Sequence, residues 1–245
     1  MQHRVEGIVL VLPHGWTELV ALLDEQGPDV DPMTRVQRLC ALCVQVTGVA
    51  GVALSVATDG ARSTVCATDD LSDRIEELQD TLGEGPSVEA LRTGDSVLMG
   101  DLSASDGRWP AFTPAAFDAG VRGLFVFPLR MGAARLGVLA LYRTDVGRLD
   151  DDQFRDAWVL AEAATVLLML NSPDGEPTEA SDWVLGDRSR FRPEVHQAVG
   201  VTMVHLNVGP RDAFARVCAH AFATNTPIGV VATQIVTRKL RVEPD

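Results

Sequence analysis

The chain of 245 residues carries a net charge of −13, is 46% hydrophobic and holds four cysteines. It exceeds the ~100–150 residues of a usual domain, so two cores are expected rather than one, and its hydrophobic content excludes general disorder. The longest apolar run, Ala163 to Leu170, falls short of the ~20 residues that cross a bilayer, and so few cysteines fit a reducing compartment rather than a disulfide framework.

Residues 1–30 are assigned to an N-terminal helical extension. Within it IVLVL, Ile8 to Leu12, follows Glu6 and lacks the small-residue cleavage site of a secretory signal, so it reads as the first segment of a cytoplasmic chain. Asp31 to Thr47 is helical, opened by DP and stopped by Gly48. Its Cys40 and Cys43 form a CxxC, but with Val36 and Leu39 they recur at helical spacing. Cys66 and Cys218 supply no second pair, so core packing is expected, with neither zinc nor redox chemistry.

GVALSVA and ARSTVCA read as paired strands around the turn TDG, followed by the charged helix LSDRIEELQ. In GEGPSVEALRTGD, Gly85 and Pro86 suit the cap and first turn of a short helix ending at Gly94. SVLMGDL is a strand, RWPAFTPAAFDAG a turn and short helix, and GLFVFPLR and ARLGVLALYR two apolar strands joined by MGA. LDDDQFRDAWVLAEAATVLLML is a long helix whose Asp150, Asp151 and Asp152 suit the positive end of its dipole. The order predicts an α+β fold, an antiparallel sheet with helices packed against it.

The run GEGPSVEALRTGD, SVLMGDL, RWPAF, AGVRGLFVFPLR and LGVLALYR resembles a GAF domain of the actinobacterial type that precedes an ANTAR domain, covering residues 31–172. The resemblance implies a PAS-like sensor fold and a possible small-molecule ligand of unknown identity. Its pocket would lie between the sheet and the loops from Gly83 to Gly120, where Arg108, Trp109, Phe112 and Phe117 either line it or fill it. GEGPSV is not GxGxxG and follows a helix, so it gives no case for a nucleotide.

The composition breaks at NSPDGEPTEASD, Asn171 to Asp182, and residues 173–185 are assigned as linker. From 186 onward eight bases face five acids, a local charge of +3 that leaves −16 for the remainder. Pro193, Pro210 and Pro227 mark three helix starts, with Gly209 and Thr226 as caps before the last two. Phe214, Val217 and Ala221, and then Ile228, Val231 and Ile235, form the apolar stripes expected to close a bundle. His196 and Gly200 share one arc of the first helix with Gln197 beside it, His205 points the opposite way, and Arg216, His220 and Thr224 share a face of the second. The spacing suits neither a metal site nor a nucleophile with its base, so no catalytic residue, metal or cofactor is expected.

The frame QAxG at Gln197, Ala198 and Gly200, the turn NVGP, DAFxxV from Asp212 to Val217, AF at Ala221 and Phe222, PI at Pro227 and Ile228, and VA at Val231 and Ala232 resembles an ANTAR domain over 186–245. That resemblance implies a dimeric three-helix module that binds a pair of RNA stem-loops beside a terminator and so permits antitermination. The residues expected at RNA are His196, Gln197, Gly200, Arg216, His220, Asn225 and Arg238. Related sequences carry arginine where this chain has Cys218 and Thr226. A second reading stays open, a small-molecule sensor whose tail serves dimerisation or protein contact without RNA. A DNA-reading helix-turn-helix is disfavoured, since the third helix opens TPIGVVA without base-reading side chains.

Overall fold

The computed structural model describes residues 3–5, 8–10, 31–58, 61–170, 193–224 and 226–242. Strands β1 (His3–Val5) and β2 (Ile8–Leu10) pair antiparallel as a small separate sheet. The segment expected as a helical extension therefore opens on strands, because the β-branched Val5, Ile8 and Val9 favour extended backbone. Residues 11–30 and the expected linker 173–185 lie outside the described residues.

Helix α1 (Pro32–Thr47) buries Val36, Leu39, Cys40, Cys43 and Val46, a helical repeat facing inward, and ends at Gly48 with φ 63°, where the left-handed turn favours glycine. Strands β3 (Gly51–Thr58) and β4 (Ala61–Ala67) form the first hairpin. Helix α2 (Asp70–Leu82) is capped by Asp69, whose carboxylate accepts from the Ser72 amide at 2.8 Å and from its hydroxyl at 3.0 Å. Helix α3 (Pro86–Thr93) starts after Gly85, and strand β5 (Val97–Met99) follows.

Helix α4 (Phe112–Asp118) has no capping side chain of its own. Instead Glu84 reaches across to accept from the amides of Ala111 at 2.7 Å and Phe112 at 2.8 Å. Strands β6 (Gly123–Met131) and β7 (Ala134–Arg143) complete one antiparallel sheet in the order β4-β3-β7-β6-β5. Helix α5 (Asp151–Leu170) opens with a reciprocal cap. The Gln153 amide donates to the Asp150 carboxylate at 2.8 Å, and the Asp150 amide returns a bond to Gln153 Oε1 at 3.0 Å. The acid triplet is thus spent on helix initiation, and Asp152 pairs with Arg155 at 2.7 Å.

Each face of the sheet carries its own core. α1 and α5 cover the face bearing Leu54, Phe127, Leu139 and Leu141. The opposite face, bearing Leu124, Val126, Val138 and Tyr142, buries Ile75 of α2, Leu102, Trp109 and Phe112. Coverage on both sides explains why β6 and β7 read as continuous apolar runs rather than alternating ones. Cys40 and Cys43 are buried in the first of these cores.

The C-terminal segment forms α6 (Pro193–Leu206), α7 (Pro210–Ala223) and α8 (Ile228–Val236) around Ala198, Val217, Ala221, Val231 and Ile235. Both stripes expected from the sequence face this core. Pro227, rather than Thr226, occupies the cap position of α8.

Gly137 of β7 sits opposite Val56 of β3, and a Cβ there would lie 2.0 Å from the Ser55 carbonyl oxygen. Gly137→Ala is expected to lower stability by about 3 kcal/mol, since the obstacle is central-strand backbone that cannot repack; urea unfolding midpoints check this. Burial pushes the Cys43 thiol up to about 12, against ~8.5 in an unfolded chain. The folded state then holds a proton that the unfolded state has lost. Stability should fall as pH rises from ~8.5 toward 12, and Cys43→Ala should flatten that decline in alkaline unfolding curves.

Candidate functional site

Trp109 and Phe112 meet inside the second core, their rings T-shaped with centroids 6.4 Å apart. Trp109 is 3% exposed and donates through Nε1 to Glu89 at 3.1 Å. Arg108 pairs with the same Glu89 and places its guanidinium 4.6 Å above the Trp109 ring, covering it from outside. Phe117 is 39% exposed and lies under Arg122, 3.6 Å from its ring centroid. Arg108, Trp109 and Phe112 are therefore brought together and Phe117 is not, and the two inner rings occupy the space between the sheet and the loops from Gly83 to Gly120.

A polar centre that the sequence reading did not identify lies under α2. The Glu76 carboxylate is fully buried. Its Oε1 accepts from Gln79 at 2.9 Å, Ser87 at 3.0 Å and the Tyr142 hydroxyl. Its Oε2 accepts from Ser55 at 3.2 Å and pairs with Arg62. Arg62 Nη2 also bonds the Glu76 carbonyl at 3.1 Å and the Asp80 carboxylate at 2.6 Å. Burial pushes the Tyr142 hydroxyl well above its usual range, which keeps it protonated as a donor. The only local signal for this centre is the spacing of Ser72, Ile75, Glu76 and Gln79, an inward-facing i, i+3, i+4, i+7 set that is mostly polar.

The residues expected at RNA divide into two groups. Gln197, Gly200 and Arg238 line a groove of about 730 Å³ between α6 and the end of α8, together with His205 and Arg241, which the sequence reading did not place there. Arg238 adopts φ 58°, turning the chain directly after α8. Arg216 and His220 are half-buried on α7 and are not among the groove-lining residues. His196 belongs to α6, and Asn225 lies outside the described residues. His205, read from the sequence as pointing away from His196 and Gly200, is exposed. The groove walls are largely apolar, and Val204 at its edge is 86% exposed. Among the described residues no group of histidine, cysteine or carboxylate side chains could hold a metal ion, and no helix is long and apolar enough to cross a membrane.

Removing one partner of a buried ion pair strands the other charge, whereas replacing both with apolar side chains does not. Glu76→Ala is therefore expected to destabilise the protein by about 3–5 kcal/mol, and Arg62→Met with Glu76→Leu by less, since the charge then left without its partner is the part-exposed Asp80 rather than a fully buried one, measured by chemical denaturation.

Residues 31–169 match the family model of the GAF domain. No curated protein matches the chain. Similar solved structures include the GAF domain/HD domain protein from Geobacter sulfurreducens, 15% identical, with 60% of this chain and 99% of that chain covered and a TM-score of 0.49. The cyanobacteriochrome TePixJ GAF domain is 15% identical over 57% of this chain and 91% of its own, with a TM-score of 0.46. Free methionine-R-sulfoxide reductase from Neisseria meningitidis, in complex with its substrate, is 16% identical over 62% and 86%, with a TM-score of 0.43. The match to the family model spans more than half of the chain, along the same segment that folds as the five-stranded sheet and its helices, and the protein belongs to the GAF domain family.

Proposed function

We propose that the protein is a cytoplasmic transcription regulator rather than an enzyme, in which the GAF domain senses a signal and an ANTAR-like C-terminal unit binds RNA stem-loops as a dimer to permit antitermination. The observation that carries this reading is the separate three-helix core of α6, α7 and α8, which presents Gln197, Gly200, His205, Arg238 and Arg241 along one groove of an otherwise acidic chain. Arginines on such a surface would neutralise phosphates and release counterions, a term that supplies much of the affinity of any protein for RNA. Backbone exposed at Gly200, where an added Cβ would meet open space, would let a sugar-phosphate strand approach α6 closely.

A second reading is favoured by the apolar walls of the same groove, Val201, Val204, Val236 and Leu240. In it the tail pairs with protein, and the chain acts as a small-molecule sensor without RNA affinity.

Gel retardation of a paired stem-loop RNA by the full chain separates the two. RNA binding predicts that Arg238→Ala with Arg241→Ala weakens retention about tenfold or more at low salt and reduces the salt slope by about two, one unit per lost phosphate contact. Arg216→Ala with His220→Ala tests the α7 group in the same assay, with weaker retention expected. Absence of retention at any salt, together with ligand-dependent thermal stabilisation, would establish the second reading.

A further inference from the structure

The C-terminal bundle rests on the last turn of α2. The Cys218 thiol of α7 donates to the Asp80 carbonyl at 3.2 Å, and the Ile228 amide at the start of α8 donates to Thr81 Oγ1 at 3.4 Å. Two consecutive residues of the GAF domain thus hold two helices of the bundle. The last four carbonyls and first four amides of any helix lack partners within it. Asp80 contributes such a carbonyl and Ile228 such an amide, so separation would hand both to water without breaking either helix.

Beneath the same turn lies Arg62. It rises from β4, an edge strand, and its guanidinium spans the Glu76 carboxylate, the Glu76 carbonyl and the Asp80 carboxylate. Asp80 therefore faces both ways, with its side chain on the buried charge centre and its carbonyl on the bundle. We propose that this contact is a releasable latch between the two domains, and that the Arg62 clamp sets its strength by fixing the position of the final turn of α2.

At 100° per residue, Arg216 and His220 lie roughly 160° around α7 from Cys218. The latch therefore restrains the orientation of the bundle from the other side of α7. Interfaces between domains of one chain resemble transient protein contacts, which suits two neutral bonds at helix ends. The proposal does not depend on what the bundle binds.

Cys218 itself reports the state of the latch. Cys40, Cys43 and Cys66 are buried in the GAF core. Docking pushes the Cys218 thiol up to about 12, through burial first and the Asp80 carboxylate second. Alkylation requires the thiolate, so the docked thiol reacts slowly and a released one at an ordinary rate.

The test is the rate of maleimide labelling of Cys218 in the full-length native protein, read alongside amide hydrogen exchange. Thr81→Ala removes the acceptor of Ile228 and should speed labelling roughly fivefold, as for one net hydrogen bond. Arg62→Met with Glu76→Leu removes the clamp but retains the Asp80 charge, and labelling should again accelerate. Local electrostatics alone would predict the reverse, because Asp80 would have lost its cation. Arg62→Lys, whose single ammonium cannot span the same acceptors, tests the clamp if the double variant does not fold. Faster labelling with the amides of α6, α7 and α8 still protected supports the latch. An unchanged rate in Thr81→Ala overturns the docking contact, and an unchanged rate in the clamp variants overturns the role of Arg62. Faster labelling with loss of amide protection throughout the bundle also overturns it, since the bundle would then be melting rather than undocking.

Discussion

A fully buried carboxylate must be surrounded by donors, and the position of Glu76 imposes that requirement on most of the GAF domain. Its partners come from β3, β4, β7, α2 and α3. Each of these elements must arrive in register before the charge is compensated, so the centre selects a single placement of α2 across the sheet. A purely apolar interface would tolerate sliding, because dispersion and hydrophobic contacts are not directional. Gln79 carries the constraint onward. Its side-chain oxygen accepts from the Ser87 amide at 2.7 Å, and a Cβ at Gly85 would come within 2.5 Å of the same side chain. The tight path into α3 thus follows from the charge beneath α2.

Much of the architecture was legible in the sequence because its punctuation is local. Gly48 and Gly94 each end a helix in the left-handed conformation, and the short turns TDG and MGA between paired strands predicted an antiparallel sheet. The stripe of Phe214, Val217 and Ala221 faces the bundle as read. The strands at His3–Val5 and Ile8–Leu10 went unread because a three-residue segment carries little information about what it pairs with. Thr226 has the chemistry of a cap, but the fixed φ of Pro227 places the helix start one residue later.

The charge centre was not legible for a different reason. Glu76 stands 14 residues from Arg62 and 66 from Tyr142, and no local pattern joins them. A glutamate in a charged helix reads as a solvated residue, since unpaired acids are almost never fully buried. Cys218 is similar. Taken alone it is an isolated small residue on a helix, and its place becomes intelligible once Asp80 is opposite it. The candidate RNA residues were legible as a polar face but not as two groups, because the turn at Arg238 carries Arg241 back along α6.

Gln153 has a further consequence. Its amide nitrogen donates to the Thr47 carbonyl at the end of α1 at 2.7 Å, while its oxygen accepts from Arg143 at the end of β7 at 2.9 Å. No other side chain offers a donor and an acceptor in this arrangement except asparagine, which is one carbon too short, so the position tolerates little change. Through it the helix by which the chain enters the domain and the helix by which it leaves are stitched into one layer. The first and last helices of the domain therefore cover their face of the sheet as one unit, held together at the point where α1 ends and α5 begins.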